Sequence, residues 1–160
     1  MTNQDLIQFY GIDKNWPVET PRHYDYDVIS LGDMLRKSAE KYPESEAIYF
    51  EGFRMTYQEL DILVDQFATA LSKMGINKGD VVLIDLPNLP QFVISYYAIV
   101  RIGAIANPII PLNRYTEIVH QANDSKGKLL IILDVLYEEH LHPNDLSKIP
   151  TLKDIILTEV

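Results

Sequence analysis

The sequence predicts an α/β fold, a mainly parallel sheet flanked by helices, and three observations carry that prediction. Two short runs, VVLI at 81–84 and LLIIL at 129–133, are apolar at every position. A strand that is apolar on both sides is typical of a parallel sheet covered on each face. Between such runs lie segments with apolar residues at spacings of three and four, the period of an amphipathic helix. The elements then alternate strand, helix, strand, helix along residues 81–157, which argues for parallel strands joined by right-handed crossovers.

Taken in order, residues 1–29 hold Pro17, Pro21 and the acidic, tyrosine-rich YDYD at 24–27. Neither helical nor strand periodicity holds there, so this part reads as an extended N-terminal arm or a loose tail. Residues 30–160 form the α/β portion. Ser30 and Asp33 mark a helix start, and Leu31, Met34, Leu35, Ser38, Ala39 and Tyr42 give that helix an apolar or small face until Pro43 stops it. Residues 47–50 and 53–57, separated by Glu51-Gly52, read as a hairpin.

The helix that follows has the most complete specification. Thr56 and Glu59 are spaced as a capping box, with Met55 and Leu60 as the hydrophobic staple. Leu60, Leu63, Val64, Phe67, Ala68, Leu71 and Met74 form its inward stripe, and Gly75 is placed to end it in the left-handed conformation. After the strand at 81–84, Asn88 and Gln91 repeat the capping spacing, and Pro90 is tolerated in a first helical turn. That helix runs to Arg101 and closes at Gly103. Residues 104–110 are strand-like but contain Pro108, where the chain should bend or leave the sheet. A helix over 113–125 turns Tyr115, Ile118, Val119 and Ala122 inward. The strand at 129–133, a short helix at 135–141 and a strand at 155–157 complete the chain. The ending directly after a strand reads as a domain cut short.

Composition narrows the function classes. The net charge is −9, the pI is about 4.8, and there is no cysteine. An acidic surface repels phosphate backbones and anionic headgroups, so nucleic acid and membrane surfaces are poor partners. Disulfides and thiolate metal sites are excluded, and a cytoplasmic setting is the natural one. The apolar run at 92–100 is too short to span a bilayer, and the N-terminus has no signal-peptide pattern.

The chemistry-bearing motifs are few. The seven glycines include no close group; the nearest two, Gly75 and Gly79, are four apart. A dinucleotide fingerprint or P-loop cannot be built from them. The cluster EEHLH at 138–142 brings His140 and His142 two apart, which is not a helical metal-ligand spacing. It reads as a solvated helix end, with histidines near the negative pole. Ser95 has no nucleophile-elbow glycines around it. Asp85 ends a parallel strand, where α/β sites collect, but no second carboxylate or histidine stands at suggestive spacing, so a turn or cap role is expected. Tyr96 and Tyr97 read as core and rim aromatics. The residues assign no catalytic, cofactor-binding or metal site.

Five blocks in register, MTYQEL at 55–60, GINKGDVV at 75–82, LPNLPQF at 86–92, GAIANPIIPL at 103–112 and ANDSKGKLLI at 122–131, resemble the early part of the adenylate-forming acyl-CoA synthetases. Trp16-Pro17 and LGDMLRKSAEKYPE at 31–44 resemble the long-chain fatty acid–CoA ligase branch. The resemblance implies that the chain is the first part of that family's large N-terminal domain. It implies, for the full-length parent, that a fatty acid, ATP with Mg2+, and coenzyme A give acyl-CoA, AMP and pyrophosphate through an acyl-adenylate. The family's Ser/Thr/Gly-rich phosphate loop, metal-binding glutamate and C-terminal-domain lysine have no counterpart here. Residues 1–160 alone are therefore expected to be inactive, to hold no cofactor, and to self-associate as a homo-oligomer through uncovered edges. Two alternatives stand beside this reading: an adenylate-forming ligase of an aryl or amino acid, and a non-enzymatic α/β interaction module.

Overall fold

The computed structural model describes residues 24–141 and 146–160, together with 11, 16, 17 and 19–21. Much of the arm expected over 1–29, and His142, therefore lie outside the described residues. The elements run α1 (Leu31–Lys41), β1 (Glu46–Phe50), β2 (Phe53–Thr56), α2 (Tyr57–Lys73), β3 (Val81–Asp85), α3 (Pro90–Arg101), β4 (Ile105–Pro108), α4 (Tyr115–Ser125) and β5 (Leu129–Leu133). A helical turn α5 (Asp134–Leu136) leads into a π turn (Tyr137–Leu141), a 3-10 turn (Leu146–Lys148) and β6 (Asp154–Thr158).

β3, β4, β5 and β6 form one parallel sheet in the order β4-β3-β5-β6. Successive side chains of a strand point to opposite faces, and the core divides accordingly. Val82, Ile84, Leu129, Ile131 and Leu133 pack beneath α1, α2 and α3 with Leu35, Leu60, Val64, Leu71 and Ile99. Leu83, Leu130 and Ile132 pack on the other face with Ile118, Ala122 and Leu141. This is the doubly covered parallel sheet that the apolar runs predict. Pro108 ends β4 at the sheet's edge, opposite Ile84, so its missing N–H removes no interior ladder bond.

β1 and β2 pair as an antiparallel hairpin outside the main sheet. Glu51 and Gly52 both take positive φ, 46° and 90°, the backbone twist that a two-residue hairpin needs. At the start of α2, Thr56 Oγ1 accepts from the Glu59 N–H at 3.2 Å, and the Glu59 carboxylate accepts from the Thr56 N–H at 2.8 Å. The staple residues Met55 and Leu60 are both buried. α2 ends in a Schellman motif: Ile76 N–H donates to the Leu71 carbonyl and Gly75 N–H to that of Ser72, with Gly75 at φ 84°. α3 ends identically, through Ala104 to Ile99 and Gly103 to Val100.

Three details differ from the expected pattern. In α1 the buried positions are Gly32, Leu35 and Ala39, whereas Leu31, Met34 and Tyr42 are exposed. The cause is a close approach to α3, since a Cβ on Gly32 would stand 3.0 Å from Arg101 Cα. In α2 the fully buried stripe narrows to Leu60, Val64, Ala68 and Leu71; Phe67 is half-buried, and Leu63 and Met74 reach solvent. At α3 the expected Asn88–Gln91 box does not form. Leu89 is the N-cap without a side-chain bond and Pro90 is the first helical residue, which needs no partner for an N–H it lacks. Gln91 instead donates to the Glu159 carbonyl at 2.7 Å.

α1, α2 and α3 meet at a charged node. Arg101, its side chain 9% exposed, bonds Asp61 at 2.6 Å and Asp65 at 2.7 Å. It also donates to the Gly32 carbonyl at 3.1 Å, and Arg36 bonds Asp65 at 2.9 Å. One guanidinium thus ties three helices together. At the amino ends of the strands, Lys128 joins Asp80 at 2.6 Å and the Gly75 carbonyl at 2.8 Å, linking the entries to β3 and β5.

Candidate functional site

Strand order reverses about β3. The chain leaves β3 through α3 toward β4 on one side, then crosses to β5 and β6 on the other. In a doubly wound sheet, ligands gather at such a reversal, beyond the carboxyl ends of the strands. Asp85, the last residue of β3, stands there opposite Ile132 of β5.

Asp85 is fully buried, and neither carboxylate oxygen has a hydrogen-bond partner among the described residues. The turn or cap role expected for it is therefore not what the structure shows. Its side chain follows Leu83 onto the α4 face of the sheet, where the π turn carries His140 close by. Burial pushes its carboxyl up to about 6, and the His140 imidazole pulls in the opposite direction. Desolvation dominates because an ionised carboxylate loses its water without gaining donors.

His140 is buried at 6% exposure, with Nε2 3.5 Å from Glu139. The solvated helix end expected at 138–142 is thus corrected for this residue: the π turn tucks the imidazole beneath the sheet's carboxyl end. Among the described residues no group of three His, Asp or Glu side chains could hold a metal ion. Ser95 is buried within α3. Phe92 and Tyr96 stack at 6.3 Å, and Tyr96 meets Tyr97 edge-on at 5.9 Å, all half-buried.

The other face of this end is apolar. A groove of about 450 Å3 runs between the hairpin and the start of α3, lined by Ile48, Phe50, Leu89 and Phe92 among others. A second, of about 370 Å3, is lined by Phe50, Phe53, Met55, Pro90, Ile94 and Val160. These surfaces can hold hydrocarbon. They offer no nucleophile or acid–base pair.

The ATP and Mg2+ that the resemblance implies do not fit the residues present. A phosphate cradle needs converging backbone N–H groups and a cation, and the charged group buried at the end of β3 is a carboxylate, Asp85. The sequence did not foretell the burial of Asp85 and His140 or the Arg101 node. One signal for the node was legible: Asp61 and Asp65, four apart on α2, repel each other in an isolated helix unless a cation joins them.

A parallel sheet with helices on both faces, reversing order at its second strand, defines a doubly wound α/β unit. Residues 35–159 match the family described as AMP-binding enzyme, and the chain belongs to that family. It is 33% identical over 153 residues to a long-chain-fatty-acid–CoA ligase of Bacillus subtilis, covering 92% of this chain and 26% of that protein. It is 32% identical over 149 residues to a 2,3-dihydroxybenzoate-AMP ligase of the same organism, covering 89% and 28%. A long-chain-fatty-acid-CoA ligase structure from Archaeoglobus fulgidus superposes with a TM-score of 0.77 at 26% identity, covering 89% of this chain and 30% of that one. The chain thus spans about a quarter of the length of these relatives, and its fold is that of the N-terminal domain of adenylate-forming enzymes. No helix among the described residues is long and apolar enough to cross a membrane.

Proposed function

We propose that residues 1–160 are the N-terminal portion of an ATP-dependent fatty acid–CoA ligase, and that this portion supplies framework rather than reacting groups. The observation that carries the reading is the alignment with the Bacillus subtilis fatty acid ligase over 153 residues, which covers 92% of this chain. The structure supports the framework role, because each of the five blocks falls on a cap, a turn or a buried strand. MTYQEL carries a capping box, GINKGDVV and GAIANPIIPL each a Schellman turn, and LPNLPQF a proline-started helix.

The whole protein would join a fatty acid to coenzyme A with conversion of ATP to AMP and pyrophosphate. The family setting supports ATP, Mg2+ and coenzyme A as its cofactors, a cytoplasmic location and residues 30–160 as one part of its N-terminal domain. An aryl acid is the competing substrate class, because the dihydroxybenzoate ligase aligns at almost equal identity. The test is to assay the full-length product with ATP, Mg2+, coenzyme A and two panels, saturated fatty acids and aryl acids. AMP release and acyl-CoA with the fatty acids is the expected result. Turnover confined to aryl acids, or ADP in place of AMP, overturns it. Residues 1–160 alone should give no ATP–pyrophosphate exchange with either panel.

A further inference from the structure

The amino ends of the sheet strands carry a feature that the ligase reading does not use. A concavity of about 520 Å3 opens there between the end of α4 and the entries to β3, β5 and β6. Lys126, Lys128 and Lys153 line it, with Ser125 and Thr151, and Asp80 is its one carboxylate. Three cations against one anion leave this pocket positive on a chain whose net charge is −9.

The three lysines are not equivalent. Lys128 is held by Asp80 and the Gly75 carbonyl. It has a structural reason to be there. Asp80 is held below the ordinary carboxylate range, first by its hydrogen bond from Lys128 and then by that from the Asn77 N–H, so it stays ionised and offsets Lys128. Lys126 and Lys153 form no side-chain hydrogen bond or ion pair among the described residues; Lys153 adds to the pull that lowers Asp80, so three cations share one carboxylate. Thr151 also lines the pocket, but its hydroxyl oxygen is shielded from solvent and has no hydrogen-bond partner among the described residues.

The backbone also departs from the usual pattern at this spot. Lys126 closes α4 in the left-handed conformation, φ 57°, which glycine adopts more readily than a residue with a Cβ. The adjacent glycine cannot move into that role by exchange, because a Cβ at position 127 would stand 2.7 Å from Leu83 Cδ1. The packing therefore requires glycine at 127, while nothing in the packing requires lysine at 126. The left-handed turn is what the Schellman ending of α4 requires; the lysines clustered in a concavity of an otherwise acidic chain are what point to an anionic ligand.

We propose that this pocket binds a multivalent phosphoryl anion, with Lys126 and Lys153 supplying the charge. Ammonium groups recognise phosphoryl oxygens through short charge-assisted bonds, and a concave wall strengthens the field of clustered charges. The pocket lies at the opposite end of the strands from Asp85, so the anion site and the sheet's carboxyl end are separate.

The test is a titration of the 160-residue chain, followed by 1H–15N NMR at constant ionic strength set with sodium chloride. Inorganic phosphate, pyrophosphate and ADP are the three probes. Pyrophosphate should shift the amides of residues 125–128 and 151–153 saturably, and more tightly than phosphate. ADP tighter than pyrophosphate identifies a nucleotide as the source of the phosphoryl group; equal affinity identifies a free oxyanion. The K126Q/K153Q double variant should weaken pyrophosphate binding about tenfold or more, the loss expected for two charge-assisted contacts. K126R/K153R should retain binding within about threefold, because the charge is kept. K126G gives an independent check: it should raise the melting temperature by relieving the left-handed strain, yet weaken the anion. Shifts no larger than in matched sodium chloride, or equal affinity in the glutamine double variant, overturn the proposal.

Discussion

Asp85 offers the sharpest test of the physical reading. Its carboxyl has an ordinary value of 3.8 and is raised to about 6 in the fold. The folded state therefore binds the proton more tightly than the unfolded state does. For an acid raised in this way, the ionised form destabilises the fold above pH 6. The penalty shrinks as pH falls from about 6 toward 3.8. At 1.36 kcal/mol per pH unit the full penalty is about 3 kcal/mol. Relaxation of the surroundings about the buried charge reduces this to about 2 kcal/mol. Asp85→Asn keeps the shape and removes the charge. It should raise stability at pH 8 by about 2 kcal/mol and at pH 4.5, part-way down the titration, by about a third of that. Urea unfolding followed by far-UV circular dichroism reads this directly. With a slope of about 2 kcal/mol per molar, the midpoint at pH 8 should rise by about 1 M. The difference between variant and parent isolates Asp85 from the other carboxylates. Among those, Glu59 and Asp80 are shifted downward by their hydrogen bonds and act at lower pH. A variant less stable than the parent at pH 8, or one with the same pH profile, would show that the carboxylate is stabilised in a way the buried geometry does not contain.

Two further substitutions probe the frame. Arg101→Ala should cost about 3 to 5 kcal/mol, because it strands Asp61 and Asp65 with Arg36 as their remaining cation; a loss under 1 kcal/mol in urea unfolding would mean that the node is screened like a surface pair. Gly127→Ala should cost about 1 to 3 kcal/mol, since its Cβ would press on the Leu83 side chain in the centre of the sheet, and unchanged thermal stability would refute that packing.

Much of the frame was legible because its signals are local. The α2 capping box, its staple and the glycines at 75 and 103 act within a few residues, and each stands where the sequence placed it. The strands at 81–85 and 129–133 were legible from composition, since full burial demands apolar residues on both faces. The misses are non-local. The face that α1 buries is chosen by Arg101, 69 residues beyond Gly32. The start of α3 follows from Pro90 and from the bond between Gln91 and Glu159, a contact that no short window contains. Asp85 looked like a turn residue because loop aspartates commonly bond nearby backbone. Its burial depends on how the π turn and β5 close over the end of β3.

The same distinction explains what the family resemblance carries. The blocks that carry the resemblance are those with a local structural duty. GINKGDVV ends α2, supplies Asp80 to Lys128 and enters β3. ANDSKGK ends α4 through Ala122, Lys126 and Gly127 and enters β5. Such duties are set by backbone geometry and core volume, which do not depend on the acid being activated. Identities of 33% and 32% to ligases of such different acids are what a shared frame produces. Discrimination between a hydrocarbon chain and an aromatic ring needs a pocket matched in shape and polarity. In this chain the apolar walls that could contribute to one are the grooves beside Phe50, Phe53 and Ile94, which Met55 and Pro90 of the blocks also line. The resemblance in the blocks is therefore evidence of fold and family rather than of the acid activated.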